Sequence, residues 1–99
     1  MEYNKSMRLE EFGLTCEVEI ITPEMAEAYL ANNFKHRDIK ESKVDKYVET
    51  LKNGEWRFNG KVITFNKDGV LMNGQHRLSA VVKSGISIKT LVVRGIDTP

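Results

Sequence analysis

Five consecutive residues, Asn73-Gly74-Gln75-His76-Arg77, bring an amide, an imidazole and a guanidinium together around a glycine. The apolar run Val70-Leu71-Met72 precedes them, and Leu78, Val81 and Val82 follow at helical spacing, so the five sit where a strand hands over to a helix. At such a corner glycine accepts a positive φ and places no Cβ between the backbone and a ligand. The first helical turn presents N–H groups without intrahelical acceptors, and with the positive end of the helix dipole they attract an anion. The dipole contributes only about 0.3–1 kcal/mol at an exposed terminus, so useful phosphate affinity needs full charges as well. Arg77 supplies one in bidentate form, and His76 adds a donor that becomes a second charge below roughly pH 6.5 if its pKa is unperturbed. A solvated arginine beside ordinary capping residues produces the same pattern, but a cation at a helix N-terminus opposes the dipole, which tilts the reading toward a bound anion.

The elements that must position this corner are legible from pattern. Residues 1–14 are polar and aperiodic and read as a flexible leader; residues 15–99 read as a single domain. Glu17-Val18-Glu19-Ile20-Ile21 predicts a first strand, and Thr22-Pro23-Glu24 supplies a cap hydroxyl, an N1 proline and an acidic first turn for a helix directly after it. Val44, Tyr47, Val48 and Leu51 predict a second helix, capped by Ser42 or a neighbour and stopped at Asn53-Gly54. Val62 to Phe65, the turn Asn66-Lys67-Asp68-Gly69 and Val70 to Met72 read as a hairpin. The motif helix runs from Gln75 to Lys83 with Leu78, Val81 and Val82 on its core face and Gly85 as its stop, and Thr90 to Arg94 forms the last strand. The expected fold is α+β with a mixed β-sheet, in the order β-α-α-β-β-α-β.

Composition narrows the function classes. The chain has 99 residues, room for one core, and its 15 Lys and Arg nearly cancel 14 Asp and Glu, so any anion site is local and not a property of net charge. One cysteine, Cys16, excludes an internal disulfide and a multi-cysteine zinc site, and its place beside a strand predicts a buried, inert thiol. No apolar run approaches the roughly 20 residues of a membrane span, and no secretory segment opens the sequence, so no membrane is expected and the expected address is the cytoplasm.

Gly74-Gln75-His76-Arg77-Leu78-Ser79-Ala80 resembles the Gly-x-x-Arg-x-x-Ala phosphate-binding motif of the ParB N-terminal domain, and Gly74-x-His76-Arg77 resembles the Gly-Cys-His-Arg segment of sulfiredoxin. Both belong to one fold superfamily. The resemblance extends through Arg37, the helix around Lys43 to Leu51, the hairpin and the closing strand, over roughly residues 18–95, and is nearest to small stand-alone ParB-like proteins of phages and mobile elements. It implies a nucleotide of the ATP or CTP type, with or without Mg²⁺, held by Asn73, Gly74, Gln75, His76 and Arg77, with Lys43 and Arg37 facing this cradle. Gln75 stands at the position of sulfiredoxin's catalytic cysteine, which argues against thiol chemistry, and Gln75-His76 replaces the Glu-Arg of ParB. The helix-turn-helix and dimerisation domains of partitioning proteins have no counterpart in this sequence, so centromere binding is not expected.

Three function classes follow. The first is a domain that binds a phosphorylated ligand at the motif helix, with nucleotide hydrolysis or phosphoryl transfer as its enzymatic version; His76 and Glu41 are then the candidate bases, and Asp68 or Asp45 the candidate aids to Mg²⁺. The second is a DNA-binding or nuclease-like module. The third is an interaction or ligand-sequestering factor with a host protein as partner, and a homodimer is compatible with all three. Trp56 and Phe58 fit two roles, stacking on a base while Arg57 and Lys61 meet phosphate, or closing the sheet edge as core aromatics; their alternation favours the core role for one of them.

Overall fold

The computed structural model describes residues 6–33 and 38–98. Its strands are β1 (Thr15–Ile21), β2 (Val62–Asn66), β3 (Leu71–Asn73) and β4 (Ile88–Ile96), and its helices α1 (Pro23–Leu30), α2 (Glu41–Lys52) and α3 (Gln75–Ser84). The chain therefore follows β-α-α-β-β-α-β, an α+β domain on a four-stranded mixed sheet ordered β1-β4-β2-β3. β1 runs antiparallel to β4, β4 parallel to β2, and β2 antiparallel to β3. The parallel pair requires a crossover, and α3 is the crossover helix that carries the chain from β3 to β4. Among the described residues no helix is long and apolar enough to cross a membrane.

Local chemistry explains the boundaries. Thr22 Oγ1 accepts from the Met25 N–H at 3.2 Å while Pro23 opens α1, so strand passes into helix without a loop. In the hairpin turn Asn66 Oδ1 accepts from the N–H groups of Asp68 and Val70, both at 2.9 Å, which replaces backbone partners the turn cannot provide. At the start of α2 the expected Ser42 cap is corrected. Lys40 is the N-cap residue, without a side-chain bond, and Ser42 lies inside the first turn.

The helices cover one face of the sheet. Ile21, Ile63, Phe65, Leu71, Ile88 and Val92 point into it and meet Ala26, Val44, Val48, Leu51, Leu78 and Val81 in one cluster. Two sequence expectations change as a result. Cys16 is exposed, because it shares the opposite pleat of β1 with Val18 and Ile20, which are also exposed. Val82 is exposed too: α3 packs between α1 and α2, which turns Gln75 and Arg77 inward and leaves Val82 outside. Trp56 packs half-buried against the core with its ring centroid 6.3 Å from that of Tyr47, whereas Phe58 is exposed beneath the Lys89 ammonium. The core role falls to Trp56.

Candidate functional site

The β3–α3 corner forms as the sequence requires. Gly74 is the N-cap of α3 with φ 113° and ψ 8°, and a Cβ there would collide with Ile63 Cδ1 in the core. No side chain caps α3, and its first turn contains no acidic residue. Among the described residues, no side chain therefore neutralises its leading N–H groups.

A cleft of about 270 Å³ opens at this helix end, lined by Lys43, Tyr47, Asn73, Gly74, Gln75, His76 and Arg77. Six of the residues expected at the site are thus brought together, with Tyr47 added. Arg37 lies outside the described residues. Tyr47 was hidden from sequence reasoning by its own periodicity: at a core-facing position of α2 it reads as an apolar ring, while its place on the helix also brings it to the cleft wall.

The side chains do not all do what their types suggested. Gln75 is buried; its Oε1 accepts from Asn33 Nδ2 at 2.7 Å, and its Nε2 donates to the Asp38 carbonyl at 3.3 Å. It fastens the α1–α2 connection on either side of residues 34–37. His76 makes a second fastening, with Nε2 accepting from the Lys40 backbone N–H at 3.0 Å. That bond fixes a neutral imidazole with its proton on Nδ1. Burial lowers the His76 pKa from its ordinary value near 6.5, and the charges of Lys43 and Lys40 push the same way, so the expected second cation is replaced by a neutral latch in a positive field.

The pH consequence has a definite sign. Above pH 6.5 His76 is neutral folded and unfolded, and it contributes no pH dependence. As the pH falls from 6.5 toward the lowered folded value, the unfolded chain takes up a proton that the folded chain refuses, so stability declines over that window. Melting temperatures measured from pH 7.5 to 5 are expected to fall in the wild type, and His76→Gln should show a shallower decline.

Arg77 departs furthest from expectation. It is 7% exposed; Nη2 donates to the Val62 carbonyl at 2.9 Å, and Nη1 is enclosed without a hydrogen-bond partner among the described residues. No carboxylate pairs with it among the described residues. Burial pulls its pKa below the ordinary arginine value, with the Tyr47 hydroxyl acting in the opposite direction. The guanidinium is thus tucked under the mouth of α3 toward β2, where it forms part of the wall of the cleft and of a neighbouring cavity.

The candidate acids are elsewhere. Lys83 holds Asp45 at 2.7 Å and Glu41 at 3.5 Å on the outside of α2 and α3, and Asp68 lies in the β2–β3 turn. None lines the cleft at α3. Among the described residues no group of three or more His, Cys, Asp or Glu is placed to hold a metal ion. A second polar cluster, Arg94 with Glu19 at 2.6 Å and Tyr29 at 3.1 Å, is internally satisfied and ties β4 to β1 and α1. No protein-family model, curated protein or solved structure matches the chain.

Proposed function

We propose that this chain is a ParB/sulfiredoxin-like binding domain that holds the phosphate of a phosphorylated ligand, a nucleotide of the ATP or CTP type, at the N-terminus of α3. The observation that carries this reading is the uncapped first turn of α3, free of acidic residues, opening into a cleft with Gly74 at its corner and Lys43 on its rim. Asn73 adds an amide at the corner, and Lys40, whose backbone N–H reaches His76 Nε2, and Lys43 bring positive charge to the same helix end. The reading is binding and not turnover, since the described residues of the cleft contribute donors and positive charge but no carboxylate, and His76 Nε2 is already engaged.

Titration with pyrophosphate, ATP and CTP, with and without Mg²⁺ at constant ionic strength, tests it. Saturable shifts of the Gly74, Gln75 and His76 backbone amide resonances are expected. Lys43→Gln should weaken binding roughly three- to ten-fold, the loss of one exposed charge-assisted contact. Unmoved amides, or equal affinity in the variant, would reject the proposal. Tighter binding to duplex DNA than to any nucleotide would favour the DNA-binding alternative in its place.

A further inference from the structure

Arg77, whose Nη1 is left without an acceptor among the described residues, lines a second cavity as well as the α3 cleft. Next to that cleft lies a second cavity of about 240 Å³, lined by Tyr47, Trp56, Arg57, Lys61, Arg77 and Thr90, among others. Arg77 Nη2 is anchored on the Val62 carbonyl, next in sequence to Lys61, and Thr90 Oγ1 is anchored on the Lys61 carbonyl at 3.2 Å. The guanidinium is therefore built into the β2 side of this cavity. Three cations line it against one carboxylate, Glu55, and that carboxylate makes no ion pair with any of them.

The neutral polar groups around it are largely spoken for. Trp56 Nε1 donates to the Lys89 carbonyl at 3.3 Å, and Thr50 Oγ1 donates to the Lys46 carbonyl at 3.0 Å. What is left unanswered is positive charge, above all Nη1 of a side chain that is more than nine-tenths buried. A buried guanidinium without an acceptor is costly, and an oxyanion is the partner its planar donors fit best.

We propose that the cavity beside Trp56 is a second oxyanion site, separate from the mouth of α3, taking a carboxylate or phosphate group that accepts from Arg77 Nη1 and is met by Arg57 and Lys61 at the rim. It does not depend on the reading of the α3 cleft, because the acceptor-seeking group and the rim cations are present whether or not a phosphate sits on the helix terminus. Arg57 and Lys61 are exposed, so neutralising them leaves the core intact.

Trp56 is the single tryptophan of the chain and lines this cavity, so its fluorescence reports the site directly. Inorganic phosphate and succinate, titrated at constant ionic strength against chloride, distinguish the two sources of the oxyanion. A saturable change in Trp56 emission is expected with at least one of them, weakened about ten-fold or more in the double variant Arg57→Gln/Lys61→Gln and retained in Lys43→Gln. No saturable response to either anion overturns the proposal. So does a response that the double variant leaves unchanged. A response lost in Lys43→Gln but kept in the double variant also overturns it, while leaving the α3 cleft as the binding site; amide shifts at Gly74 to His76 read that cleft separately.

Discussion

Gly74→Ala should unfold at a markedly lower temperature than the wild type, although it adds one methyl group. Two costs coincide at this position. The backbone is held at φ 113°, where an L-residue is strained by about 1–3 kcal/mol. The new Cβ also meets the end of the Ile63 side chain, which is fully buried and moves only by repacking the sheet–helix interface, at a further cost of roughly 1–3 kcal/mol. Together they remove about 2–6 kcal/mol from a domain whose total stability is on the order of 5–15 kcal/mol. At about 4–8 °C per kcal/mol for a chain of this size, the melting temperature drops by about 8 °C or more. Calorimetry on the two proteins checks this, and a drop of only a few degrees would mean that the corner relaxes freely and that glycine is not required there.

Arg77→Met is expected to move stability the other way while abolishing anion binding at the cavity beside Trp56. Methionine is unbranched and adaptable enough to occupy the volume of the arginine stem. The substitution gives up one hydrogen bond to the Val62 carbonyl, a net loss of about 1.5–3 kcal/mol for a charged donor. It also removes a buried charge that has no carboxylate partner and one donor with no acceptor, a burden of several kcal/mol that replacement by an apolar side chain commonly relieves. The expected balance, measured by denaturant unfolding in a chloride buffer, is a variant equal to the wild type or about 1–3 kcal/mol more stable. The Trp56 emission response to phosphate should vanish in the variant, and the stabilisation that phosphate confers should shrink to what the α3 cleft provides. A variant destabilised by more than about 2 kcal/mol would show that the Val62 bond, not a ligand, is the reason for the arginine.

The sequence carried the elements of this fold because each is announced locally. Thr22-Pro23 marks the start of α1, Asn66 to Gly69 the hairpin turn, Gly74 and Gly85 the two ends of α3, and the order of strands and helices follows. It also grouped Lys43 with Asn73 to Arg77 in one cleft. What it did not disclose was the direction of individual side chains, since that depends on which neighbours a helix packs between. Arg77 and Val82 exchanged their expected environments because α3 is wedged between α1 and α2, and no periodicity within α3 records the rotation. Likewise Cys16 turned outward on the face of β1 that, among the described residues, no α-helix covers. His76 and Gln75 carried donor and acceptor chemistry that looked available in sequence, and the chain spends it on its own α1–α2 connection.

Those last fastenings have a bearing on the order of folding. The bonds from Gln75 and His76 reach partners 42, 37 and 36 residues earlier in the chain, so they close longer loops than the hairpin or the helices do and reward only a structure in which α1, α2 and α3 have come together. The α1, α2 and hairpin segments have to be in place before the mouth of α3 is closed off. Forms of the chain in which α1, α2 and α3 have not yet come together consequently lack the anion cleft, and the appearance of ligand affinity during refolding marks that assembly and not the formation of any single element.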